Sequence, residues 1–249
     1  MSTARVIDTG VRPARWNLAM TATLAAAHRA GSGEVTLRFQ RFPPSVLMGR
    51  HQVLHDAVDV EACRRRGVEI ARRPTGGGAV YMAPGILAWD VVADRQRFGG
   101  RLALAAAAIG SGVAAGLSHL GAAAEFLPPN DVRCRGRKLC GTSGYVEGAT
   151  LVFQGTVLIE FDAAAMAEVL ILPGMTAGML GKALIGLSEA LERMPREGEV
   201  EGALADRIAS TLGLRFAPDA PRAEEIALAD RLHALEFGTD AFVTGEEAA

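Results

Sequence analysis

Apolar and polar positions alternate over residues 5–9, which predicts a short strand. From Asn17 to about Arg29 an alanine- and leucine-rich stretch predicts a helix, with Asn17 suited to its N-cap. Strands follow at 34–40 and 45–49 around Pro43-Pro44, which cannot donate ladder bonds. A helix over 58–66 stops at Gly67, and a strand over 68–72 delivers a run of three glycines at its carboxyl end. Strands at 79–81 and 86–93 are separated by the turn-forming Ala83-Pro84-Gly85. Residues 101–120 form the longest predicted helix. Segments 123–127, 131–134, 138–146 and 151–161 then read as a run of antiparallel strands. Helices are predicted over 163–170, 181–194, 198–212 and 222–235. Without regular βαβ alternation, this order implies an α+β fold with a central mixed or antiparallel sheet flanked by helices. We expect one domain over residues 1–249, with helices from about residue 181 in its C-terminal part and a frayed tail after Gly245.

Composition narrows this little. Of the 249 residues, 49% are apolar and 5% aromatic, so alanine, valine and leucine must fill the core. The formal net charge is −2 and the longest basic run is Arg64-Arg65-Arg66, which argues against nucleic acid as a partner. The alanine-rich stretch 102–117 contains glycines and a serine and reads as a buried helix, so no membrane partner is expected. Cys63, Cys134 and Cys140 match no zinc spacing, and His51 with His55 is too few ligands for one. Reduced thiols and a cytoplasmic location are expected.

Only two residues are lysine, Lys138 and Lys182, against a background of arginine. A compact charge with an adjustable pKa does what arginine's planar, always-protonated fork does not. The run Gly76-Gly77-Gly78 matches neither the dinucleotide fingerprint nor the Walker loop. Its missing Cβ atoms let backbone approach a ligand, and its N–H groups suit an anion; a flexible hairpin explains the glycines equally well. Arg73 is placed to pair with phosphate. Asn130-Asp131 is either a polar contribution to a site, Asp131 holding a magnesium ion, or the turn that follows Pro128-Pro129.

Taken together these segments resemble the lipoate-protein ligase family, part of the superfamily of biotin protein ligases and octanoyltransferases. The resemblance rests on Arg72-Arg73-Pro74-Thr75-Gly76-Gly77-Gly78-Ala79-Val80, then Asn130-Asp131-Val132, Gly136-Arg137-Lys138-Leu139-Cys140-Gly141, and Gly155-Thr156-Val157-Leu158. Weaker matches lie at 17–20, 44–50 and 182–188. It implies a biotin/lipoate-ligase-like catalytic domain that uses ATP and Mg²⁺ to turn lipoate into lipoyl-adenylate. The acyl group then passes to a lysine of a lipoyl carrier domain. Carried over by residue, Arg73, Thr75, Gly76, Gly77, Gly78, Ala79, Val80, Tyr81, Asn130, Asp131 and Gly141 would hold the nucleotide and adenylate, and Lys138 would be catalytic.

The pattern breaks in two places. Met82-Ala83 stands where the family has His-Asp, and Gln154 where it has a histidine before Gly-Thr. The resemblance also leads us to expect that the C-terminal accessory domain of many ligases is lacking. Either a separate accessory protein supplies that function as a further partner, or the adenylation half-reaction stands alone, or the protein is not a ligase. Two rival readings follow: an octanoyltransferase carrying the acyl group on Cys134 or Cys140, with Lys138 lowering the thiol's pKa, and a non-catalytic lipoyl-binding relative.

Overall fold

The computed structural model describes residues 3–32, 34–196 and 198–245. The last four residues, where a frayed tail was expected, lie outside them. The described part comprises β1 (Thr3–Val11), α1 (Ala14–Ala27), β2 (Thr36–Arg41), β3 (Ser45–Met48), α2 (Leu54–Ala57), α3 (Val60–Arg66) and β4 (Glu69–Arg72). After these come β5 (Val80–Met82), β6 (Ile86–Asp94), α4 (Leu102–His119), β7 (Ala124–Leu127), β8 (Asp131–Cys134), β9 (Arg137–Glu147) and β10 (Thr150–Leu158). The C-terminal part holds α5 (Ala163–Val169), α6 (Ala177–Ala183), α7 (Leu187–Leu191), α8 (Glu199–Leu212), β11 (Arg215–Pro218), α9 (Ala223–Leu232) and α10 (Asp240–Thr244).

Eight strands form one mixed sheet in the order β11-β1-β2-β6-β10-β9-β8-β7, and β4-β3-β5 form a second, three-stranded sheet. β1 lies parallel to β2 and β11, and the ladders from β2 to β7 are antiparallel. The expected mixed sheet flanked by helices is therefore present. A two-residue turn joins β8 to β9 through Arg135 and Gly136, both at positive φ, the geometry that matches strand twist.

One core cluster packs α4 and α8 on the sheet through residues such as Trp89, Ile109, Leu117 and Leu204. A second gathers Leu18, Phe42, Met48, Met82, Met166 and Leu180 around the small sheet. By length and composition α4 matches a membrane-spanning helix, but half of its apolar window is buried within the molecule.

Three local expectations need correction. α1 starts at Ala14 after Pro13, and Asn17, fully buried inside it, donates from Nδ2 to the carbonyls of Arg12 and Arg41 instead of capping. The single helix expected over 181–194 is two short helices, because Ile185 N–H donates to the Lys138 carbonyl and draws the chain onto the sheet. β11 was missed: its alternation is weak, and its pairing with β1 links residues far apart in sequence.

Candidate active site

The loop between β4 and β5 is shaped by a guanidinium at its centre. Arg73 is 5% exposed; its Nε donates to Thr75 Oγ1 at 3.1 Å and its Nη1 to the Leu47 carbonyl at 2.6 Å. Nη2 donates to the carbonyls of Gly76 and Gly78, both at 2.8 Å. Burial lowers the Arg73 pKa to about 10, which leaves it protonated at neutral pH. The Arg73 N–H groups expected to meet phosphate are thus engaged inside the protein, one bond on the Thr75 hydroxyl, one on the β3 carbonyl of Leu47 and two on the loop's own carbonyls. Turning those oxygens inward leaves the glycine backbone exposed to solvent.

Gly77 has φ of +95°, which favours glycine, and a Cβ at Gly49 would overlap the Gly77 carbonyl oxygen. Thr75 is fully buried beneath the loop, its carbonyl accepting from Arg50 N–H at 2.9 Å.

Facing this loop is the Lys138 corner, and a β-bulge makes it. Asp131 pairs with Gly141 and Val132 with Cys140, but Arg133 pairs with Lys138, so Leu139 is an extra residue in β9. In a regular strand Lys138 and Cys140 would share a face. The bulge instead puts both Leu139 and Cys140 in the core and turns Lys138 over Gly141. A Cβ at Gly141 would come within 2.9 Å of Lys138 Cε and 3.0 Å of Nζ. Lys138 Nζ bonds Asp131 Oδ1 at 2.7 Å, while Asp131 Oδ2 accepts from Arg133 at 3.2 Å. The Asn130 carbonyl accepts from both N–H and Oγ1 of Thr142 at 2.8 and 3.1 Å.

Loop and corner border one cavity of about 860 Å³, within the range of ligand pockets. Of the residues expected at a site, Arg73, Gly76 to Tyr81, Asn130, Lys138 and Gly141 line it. Thr75 lies under the loop and Asp131 behind Lys138, each touching a lining residue. Lys182 is exposed on α6 and does not line the cavity.

The apolar wall comes from Leu18, Phe42, Leu47, Leu158, Met166, Leu180 and Leu184. Gln154, singled out by the motif comparison, shares a polar floor with Thr21, Gln40, Asp90 and Ser143, which motif reading missed. Strand alternation held a signal for it: Asp90 is a charge inside the otherwise apolar start of β6. Register puts Arg38, Asp90, Gln154 and Ser143 in one row across four strands. Asp90 Oδ2 accepts from Arg38, Thr21 and Gln40. Burial lowers the Arg38 pKa, with Asp90 opposing the shift. Gln154 thus does face the cavity, whereas Met82 is packed in the core beside the small sheet.

The thiols stand apart. Cys63, Cys134 and Cys140 are free, buried and outside the cavity lining. Burial pushes Cys140 up to about 12, and the Lys138 charge that was expected to lower it only partly offsets this. His51 and His55 are exposed, and no group of three metal-ligating side chains occurs among the described residues.

A family model of the lipoyl protein ligase A/B catalytic domain matches residues 13–208. The chain belongs to this family. The octanoyltransferase LipM of Symbiobacterium thermophilum is 28% identical, the match covering 95% of this chain and 96% of that protein. Lipoate-protein ligase A subunit 1 of Thermoplasma acidophilum is 25% identical, with 84% of each covered. The fold matches that of a bi-partite lipoate protein ligase from Thermoplasma acidophilum, described with its E2 lipoyl domain. Its TM-score is 0.90 at 24% identity, covering 100% of this chain and 99% of that one. A lipoate-protein ligase A bound with ATP gives 0.89 at 23% identity, with 99% and 100% covered. The protein is thus an enzyme of the lipoate ligase and octanoyltransferase family, with that family's mixed-sheet fold.

Proposed function

We propose that the enzyme activates lipoate, or a related medium-chain acid, with ATP and transfers the acyl group to a lysine of a lipoyl carrier domain. The observation that carries this reading is the division of the nucleophiles and charges. Lys138 lines the cavity opposite an exposed glycine backbone, while all three thiols are buried away from it.

In the first step the acid's carboxylate oxygen attacks the α-phosphorus of ATP and pyrophosphate leaves. Lys138 exchanges Asp131 for the reacting oxygens and offsets the charge that develops on them, and N–H groups of the glycine loop hold the phosphate. In the second step the carrier's lysine amine attacks the acyl carbonyl and AMP leaves. The leucine- and methionine-rich wall takes the acyl chain and excludes water from the mixed anhydride.

The donor set around Asp131 is a single carboxylate, which suits a Mg²⁺ arriving with nucleotide phosphates better than a dedicated protein cage. Such an ion would supply charge neutralisation at the phosphates. The three unpaired thiols support a reducing, cytoplasmic setting. The bipartite relative supports a separate accessory chain as a partner beside the carrier domain.

A second reading is favoured by the relatives named octanoyltransferase LipM: acyl transfer without ATP. One assay separates the two. The protein is incubated with Mg-ATP and lipoate, and in parallel with an octanoylated carrier and a lipoyl domain. Lipoyl-adenylate in the first mixture, absent with Lys138→Ala, supports ligation. Octanoyl transfer in the second with no adenylate in the first replaces it with the transferase.

A further inference from the structure

The residue before Arg73 joins two distant parts of the chain. Arg72, 7% exposed, donates from Nε to the carbonyls of Phe242 and Val243 at 3.1 and 2.9 Å, and from Nη2 to Val243 at 2.7 Å. Its Nη1 reaches the carbonyls of Gly49, Arg50 and Gln52 at 3.3, 2.9 and 2.8 Å. One guanidinium thus ties the last turn of α10 to segment 49–52. Carbonyls at a helix C-terminus lack intrahelical donors, so a cation there is favourable.

Segment 49–52 is itself the back wall of the glycine loop. Gly49 packs against the Gly77 carbonyl with no room for a Cβ, and Arg50 N–H holds the Thr75 carbonyl at 2.9 Å. At its other end, α10 is fastened to α1. Arg15 Nη1 donates to the Gly238 carbonyl at 2.7 Å and to Asp240 Oδ1 at 3.0 Å. The rings of Phe237 and Phe242 lie 4.7 Å apart. Burial lowers the Arg72 pKa, and each of the Arg72 hydrogen bonds above goes to a backbone carbonyl, so this cation is held by geometry and not by a counter-ion. A lysine has one nitrogen and cannot span both segments.

We propose that Arg72 and residues 239–245 form a latch that positions the glycine loop for nucleotide, which makes the C-terminal segment part of the binding apparatus. Arg72 is a positioning residue here, and the role in nucleotide binding rests on the function proposed above.

The test uses four variants of the full protein: Arg72→Ala, Arg72→Lys, a truncation after Gly238, and a control truncation after Gly245. Hydrogen exchange read by mass spectrometry needs no activity. Amides of Arg50, Gln52 and Arg73, which donate to the Thr75, Gly49 and Met48 carbonyls, are expected to exchange at least about tenfold faster in the first three, with β6 and β10 amides unchanged and the control like the parent. Unchanged exchange at these three amides would overturn the latch. So would equal acceleration throughout the sheet, which is general destabilisation, or full protection restored by Arg72→Lys. In the adenylation assay the first three variants should raise the KM for ATP several-fold more than they lower kcat. A parent without ATP-dependent activity removes the nucleotide role and the proposed function, while the exchange data still decide whether the latch holds the loop.

Discussion

Two ion pairs border the same cavity and are built on opposite principles. Arg38 and Asp90 are 0% and 2% exposed, with the contact at 2.5 Å reinforced by Thr21 and Gln40. Lys138 and Asp131 are 36% and 17% exposed, and the ammonium rests on that carboxylate. A buried pair cannot lose a member without stranding a desolvated charge. A half-exposed pair contributes about 0–1 kcal/mol and re-partners at little cost. The floor of the cavity is therefore fixed and its rim charge is free to exchange Asp131 for a substrate anion. That asymmetry, more than the presence of a lysine, marks where charge can be redirected during a reaction.

The sharpest way to break the comparison is Asp90→Ala. Stranding Arg38 should cost about 3–5 kcal/mol in denaturant unfolding; a loss below about 1 kcal/mol would make the floor pair no different from the rim pair. Lys138→Ala should do the reverse. It is expected to lower acyl activation about 10²- to 10³-fold, with unfolding free energy within about 1 kcal/mol of the parent. A large stability loss without an activity loss would make Lys138 a structural residue.

Gly141→Ala is subtler, because the new methyl group meets the Lys138 stem and not backbone. Displacing the ammonium should slow the reaction about tenfold to a hundredfold, and an unmoved rate would show that Lys138 reaches its substrate by another path. The smallest effect belongs to Cys140→Ala: about 1 kcal/mol of stability and activity within about twofold of the parent. Burial holds the Cys140 pKa up to about 12, so the thiol stays protonated at pH 8. Iodoacetamide at that pH should leave Cys140 unlabelled until the protein unfolds; rapid labelling of native protein would return it to the list of nucleophiles.

Most elements were legible because their signals are local. The β7–β10 meander follows from four alternating segments with turn residues between them. Gly67 at φ +63° ends α3 where a helix stop was expected. The glycine run, Asn130 and Lys138 were singled out from residue type and order, and they do meet at one cavity. Failures occur where a distant partner overrides local preference, as when the Lys138 carbonyl captures Ile185 and splits the expected helix.

By itself, then, the chain determined most of its strand and helix order, its family, and several of the short segments that meet at the cavity. Those depend on periodicity, turn chemistry and motif spacing within a few residues of each other. Only the tertiary structure decided where side chains point. It turned Arg73 into the loop's own carbonyls and Arg72 onto α10, and it added Asp90 and Gln40 to the cavity. Through a single extra residue in β9 it separated Lys138 from Cys140. The physical reason is that a side chain's direction on a strand depends on register with a neighbour, and one bulged residue reverses it.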